Sequence, residues 1–131
     1  PTLSSAASDV YKRQTINNID WMIVTNKPKR FSHEICKKFM WDKYAKAIIS
    51  PDDVKGKRKP DPASLNAALS KTSVNKKESV YVGDNWRDVK AAQNSGIDSV
   101  LALYGYLDKN DASLLHPTSS IKKIEDLSNY F

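Results

Sequence analysis

Between Ser79 and Leu103 the chain carries a unit that leaves few choices of fold. A short apolar run ending at Val82 stops at Gly83-Asp84, a helical stretch from Arg87 to Ser95 ends at Gly96, and a second apolar run, Val100-Leu101-Ala102-Leu103, follows. Glycine is the usual residue just past a helix end, because it enters the left-handed region without penalty. Two strands joined through a helix have no tight hairpin between them, so the helix crosses over and the strands lie parallel.

Upstream residues extend the alternation. Trp21-Met22-Ile23-Val24 reads as a buried strand closed by Thr25-Asn26-Lys27-Pro28. From Lys29 to Tyr44, Phe31, Ile35, Phe39 and Met40 recur at three-to-four spacing among charges and predict an amphipathic helix. Ala47-Ile48-Ile49 is a very short strand, and Pro51 to Lys59 is a polar, basic loop containing Gly56. Asp61-Pro62 opens a helix to about Ser70, since Asp caps free N–H groups and Pro tolerates the first helical position. Beyond Tyr104, residues 109–120 read as a polar loop and Ile124 to Phe131 as a closing helix. The pattern is α/β: a parallel sheet covered on both faces, with ligands beyond the carboxyl ends of its strands.

The 131 residues suit one domain, and a balance of 40% hydrophobic to 27% charged residues is that of a folded body. No apolar run reaches the roughly 18 residues of a membrane span, and the N-terminus lacks the apolar core of a secretion signal. A cytoplasmic location is expected. Cys36 is the single cysteine, so neither an internal disulfide nor a cysteine-based zinc site can form. Lys and Arg outnumber Asp and Glu by 21 to 15, which suits either nucleic acid or small phosphorylated anions. The basic residues are spread out with no interleaved aromatics to stack bases, which argues against nucleic acid.

Residues 1–14, PTLSSAASDVYKRQ, show no helical or strand periodicity, and their last six resemble the in-frame translation of a transposon-end adapter used to prepare sequencing libraries. They are expected to be a non-native leader, so that the domain proper covers residues 15–131.

Three polar clusters fall at predicted strand or loop ends: Thr25-Asn26-Lys27, Lys59-Pro60-Asp61-Pro62 and Gly83-Asp84-Asn85-Trp86-Arg87-Asp88. A hydroxyl and free N–H groups at a strand end can hold phosphoryl oxygens, although Thr-Asn-Lys-Pro taken alone is more often an ordinary helix cap. Lys59 is distinguished from Lys55, Lys57 and Arg58 by the Pro-Asp-Pro that anchors it. Asp84 and Asp88 stand four apart at a helix start, so both carboxylates can face one side. Such a pair suits Mg²⁺, which takes one or two protein carboxylates and completes its shell with water and phosphate, though the helix dipole alone favours acids there.

In order and spacing these clusters resemble the second, third and fourth motifs of haloacid dehalogenase-type hydrolases. The wording VTNKP, KPDP, YVGDNWRD and ALYGY is most similar to the phosphoglycolate phosphatase branch. The resemblance implies a three-layer Rossmann-like fold and a Mg²⁺-dependent phosphomonoester hydrolase acting on a small phosphorylated metabolite through an aspartyl-phosphate. It assigns catalysis to Thr25 and Lys59, phosphate binding to Thr25, Asn26 and Lys59, and the metal to Asp84 and Asp88. The family's first motif, Asp-x-Asp, supplies nucleophile and general acid, and does not occur in this sequence. Its strand lies at the centre of the family's sheet, so an incomplete, gapped sheet is expected, lacking also the cap that shapes substrate choice, with no turnover and marginal stability. The alternative is a noncatalytic phosphate-binding or regulatory module.

Overall fold

In the computed structural model, the structure describes Val10 and residues 18–104 and 115–130. The strand Ile23–Val24 (β1) leads into the helix Lys29–Lys38 (α1) and the strand Ile48–Ile49 (β2). The helix Ala63–Leu69 (α2), the strand Val80–Gly83 (β3) and the helix Trp86–Ser95 (α3) follow, then the strands Asp98–Ala102 (β4) and Ser119–Ile121 (β5). Short 3-10 segments occupy Trp41–Lys43, Pro51–Val54, Lys76–Glu78 and Ile124–Tyr130.

All strand pairings among these residues are parallel. β1 pairs with β2, Ile23 opposite Ile48, while β3, β4 and β5 form a second sheet in that order, with Val82 opposite Val100 and Leu101 opposite Ser120. The parallel α/β reading therefore holds, and so does the expected gap: two strands on one side, three on the other, with no strand between β1 and β3 among the described residues.

Alternation along the strands sends side chains to two core clusters. Val80 and Val82 pack with Val100, Ala102 and Ile121 against Ile124 and Leu127, while Tyr81 faces the other layer with Leu65, Ala91 and Ala92. Val10 is helical and 3% exposed within the first cluster, whereas the rest of residues 1–14 lies outside the described residues.

Three local readings are corrected. The helix predicted to Tyr44 ends at Lys38, because Met40 adopts the left-handed conformation (φ 59°) and Phe39 stacks on Trp41 at 5.0 Å. Its apolar stripe is not its buried face either: Ser32 and Cys36 are buried while Phe31 is 47% exposed. Residues 109–114 of the predicted polar loop lie outside the described residues, but Ser119–Ile121 is a strand, its place set by backbone pairing with β4 rather than by apolar content. The closing helix is present as a 3-10 segment.

Candidate active site

Each element that meets at the carboxyl ends of β1 and β3 is set there by local chemistry. At the start of α3 the Asn85 side chain accepts the Arg87 N–H at 3.0 Å, and the Asp88 carboxylate reaches back to the N–H groups of Asp84 and Asn85, both at 3.1 Å. This reciprocal capping fixes the direction in which the helix leaves the strand. Gly96 closes the helix at φ 75°. Gly83 is required for a different reason: a Cβ there would collide with the Asp88 carboxylate.

Lys59 is carried to the same rim by the loop that precedes α2. The Asn26 side chain grips its backbone from both sides, accepting the Lys59 N–H at 2.8 Å and donating to its carbonyl at 3.2 Å. Asn94 on α3 donates to the Pro60 carbonyl at 3.0 Å, and the Asp61 carboxylate accepts the Ala63 N–H at 2.9 Å. The loop's start is pinned to α1, where Lys29 pairs with Asp53 at 2.7 Å. That hydrogen bond, supported by the Ser50 N–H, holds the Asp53 carboxyl below the ordinary carboxylate range.

The Lys59 ammonium then makes three contacts within this rim. It donates to Asp88 Oδ1 at 2.8 Å, to the Tyr81 hydroxyl at 2.7 Å and to the Val24 carbonyl at 3.1 Å, and Tyr81 itself donates to Val24 at 2.9 Å. The side chains of Lys59 and Asp88 are only 9% and 11% exposed. A buried pair persists when its remaining lone pairs and protons are satisfied, as they are here by the two amides and the phenol.

The structure thus joins the three clusters: Thr25 directly follows Val24, Lys59 bridges from Val24 to Asp88, and Asp84 is tied to Asp88 by its own amide. Within that rim the residues differ in what they present. The Thr25 hydroxyl accepts the Lys27 N–H at 3.1 Å and remains half-buried at the strand end. Asn26 is committed to the Lys59 backbone. Asp84 is exposed, while both Asp88 oxygens are engaged inside the protein, so the two carboxylates are not equivalent. Among the described residues no group of three or more His, Cys, Asp and Glu gathers to hold a metal. Two residues escaped sequence reasoning. Tyr81 was read only as an apolar strand position, and Asn85 was not recognised as the cap, although its place before the helix was a usable signal. Trp86 is exposed beside the Arg87 guanidinium, and His33 and His116 are exposed too.

The family model for haloacid dehalogenase-like hydrolases matches residues 12–102. The chain belongs to this family. Among relatives of this HAD-like hydrolase, the phosphoglycolate phosphatase of Psychrobacter arcticus is 33% identical over 82% of the chain and 46% of its own length. The N-acetylmuramic acid 6-phosphate phosphatase of Pseudomonas aeruginosa is 31% identical over 70% of the chain and 40% of its own length. A HAD-superfamily hydrolase of Ehrlichia chaffeensis superposes with a TM-score of 0.75 at 23% identity, covering 93% of this chain and 54% of that one, and shows a shared fold. The HAD-like chain therefore spans less than half the length of these curated relatives. Among its described residues no helix is long and apolar enough to cross a membrane.

Proposed function

We propose that the rim formed by Thr25, Lys59, Asp84 and Asp88 is one half of a Mg²⁺-dependent phosphomonoester hydrolase site. The observation that carries this reading is the Lys59 ammonium, which meets Asp88 at 2.8 Å and the Val24 carbonyl at 3.1 Å and so ties the three motif clusters to the ends of β1 and β3. Thr25 and the N–H groups after it would take phosphoryl oxygens at the entry to α1. Lys59, held in place by Asn26 and Asp88, would place a fixed positive charge where negative charge grows in the transition state. Asp84, exposed at the strand end, would hold the metal, with Asp88 beside it steering Lys59. Mg²⁺ at such a site polarises phosphoryl oxygens and neutralises their charge.

The family's reaction, attack by an aspartate to give an aspartyl-phosphate and its hydrolysis, needs a carboxylate that this sequence does not contain in an Asp-x-Asp motif. The expected substrate class is a small phosphorylated metabolite, in keeping with the phosphoglycolate phosphatase relatives. The 131-residue chain by itself should bind phosphate weakly in a Mg²⁺-dependent way and should not turn over. Calorimetric titration with inorganic phosphate, with and without Mg²⁺, tests the first statement, and p-nitrophenyl phosphate hydrolysis tests the second. Phosphate heats that ignore both Mg²⁺ and the substitution Asp84→Asn would overturn the site, and hydrolysis above background would overturn the inactivity.

A further inference from the structure

An arginine at the mouth of α3 is held in place but paired with no acid among the described residues. The Arg87 guanidinium donates to Asn85 Oδ1 at 3.1 Å, beside the bond that its own backbone N–H makes to the same atom at 3.0 Å, and its Cζ lies 5.4 Å from the centre of the Trp86 ring. The ion pairs among the described residues join Lys29 to Asp53, Lys46 to Asp20 and Lys59 to Asp88, and leave Arg87 out. Arg87 and Trp86 are both exposed. A guanidinium carries its N–H donors in a planar fork, so the bond to Asn85 leaves most of them for a ligand.

These contacts also fix where the guanidinium points. Asn85 is the residue just before the helix, so a side chain of the first turn that reaches Asn85 Oδ1 has folded back toward the end of β3 instead of outward along α3. Asn85 in turn gives its N–H to Asp88, whose other oxygen holds the Lys59 ammonium at 2.8 Å. Arg87 therefore stands on the rim that gathers Thr25, Lys59 and Asp84. Four amides of the same turn are already occupied: those of Asp84 and Asn85 go to Asp88, and those of Arg87 and Asp88 go to Asn85. A ligand arriving here meets one preset fork.

We infer that Arg87, backed by Trp86, determines substrate choice by receiving a carboxylate on a molecule whose phosphate lies among Thr25, Lys59 and Asp84. The inference rests on the phosphomonoester reading of that rim and narrows its substrates to phosphorylated carboxylic acids. A carboxylate fits a single fork because its two oxygens match two parallel N–H donors, whereas a second phosphate has three oxygens to satisfy and finds those four amides already bonded. A neutral hydroxyl brings no charge to the guanidinium. Restraint by Asn85 and Trp86 favours affinity, since an arginine already held loses less side-chain freedom on gripping a ligand. Lys27, exposed beyond β1, offers instead a point charge on a flexible stem.

The test is calorimetry on the full chain with Mg²⁺, using two matched pairs of probes that differ at the carboxylate: phosphoserine against phosphoethanolamine, and phosphoglycerate against glycerol phosphate. The acid of each pair should bind about tenfold tighter than its partner. Arg87→Met should bring that ratio to about one while the affinity for inorganic phosphate stays within about twofold, and Arg87→Lys, which keeps the charge but not the fork, should retain about threefold. The acids should also change tryptophan emission, and Trp86→Phe should remove that change. Acids no tighter than their partners overturn the inference and leave the phosphate site standing. So does a preference that survives Arg87→Met or falls instead with Lys27→Met, or an emission change that persists in Trp86→Phe. Binding of inorganic phosphate that ignores Mg²⁺ and Asp84→Asn is a different failure: it removes the rim reading, and this inference with it.

Discussion

Replacing Lys59 with methionine should be among the most destabilising single changes in the described core. Its ammonium neutralises the Asp88 carboxylate at 2.8 Å where the side chains are 9% and 11% exposed. Removing one partner of such a pair leaves an uncompensated charge and costs about 3–5 kcal/mol. Here Asp88 keeps two amide donors, so the lower end, about 3 kcal/mol, applies. Asp88→Asn should cost about 2 kcal/mol, since its amide group must point hydrogens either at Lys59 or at the N–H groups of Asp84 and Asn85. The double variant removes the charge mismatch altogether, so the two effects should fall short of their sum by about 1.5 kcal/mol. For a chain of this size about 3 kcal/mol lowers the thermal midpoint by roughly 10 °C. Urea unfolding followed by far-ultraviolet circular dichroism gives the free energies directly. A single variant that is unfolded outright meets the prediction only if the double variant regains structure. Single effects under about 0.5 kcal/mol that add without coupling would refute the buried-pair reasoning.

Gly83→Ala should cost about 2 kcal/mol or more in the same melts, because its Cβ would occupy the position of the Asp88 carboxylate. Asn26→Ala, which strips both bonds from the Lys59 backbone, should cost about 2 kcal/mol, whereas Thr25→Ala should cost under about 1 kcal/mol and act instead on phosphate affinity. Asp53 and Asp20 are held below their ordinary value of 3.8, Asp53 chiefly by Lys29 and Asp20 chiefly by Lys46, with Thr72 second. A depressed folded value stabilises above the unfolded value and is lost as pH falls through the folded one. Stability should therefore drop below about pH 4, and Lys29→Met should flatten that part of the pH profile. With no strand between β1 and β3 among the described residues, the wild-type chain should melt at low temperature, and a thermal midpoint above the roughly 45–65 °C of ordinary domains would contradict this.

Much of the scaffold was legible because its signals are local. Gly83, Asp88 and Gly96 bracket a helix whose start and stop need no partner beyond the neighbouring turn, and the apolar run at β4 could only be a buried strand. The elements that were misread depend on distant contacts. Ser119–Ile121 is a strand because β4 offers its edge, which two serines and one isoleucine cannot announce. On α1 the buried face falls on Ser32 and Cys36, where Ser32 meets the Ser50 hydroxyl at 3.0 Å, a choice that polarity patterns do not encode. At the site, motif order identified which residues gather, but not how they divide the work. That Asp88 holds Lys59 while Asp84 faces solvent follows from capping geometry and burial, and the Asn26 clamp joins residues 33 apart in sequence.

The most direct test is to follow the backbone amide resonances of the chain while inorganic phosphate is added in the presence of Mg²⁺. Shifts concentrated at Thr25, Asn26, Lys59 and Asp84, and absent without Mg²⁺, are predicted. Shifts spread over the surface lysines, or centred away from the ends of β1 and β3, would contradict a shared phosphate site at this rim.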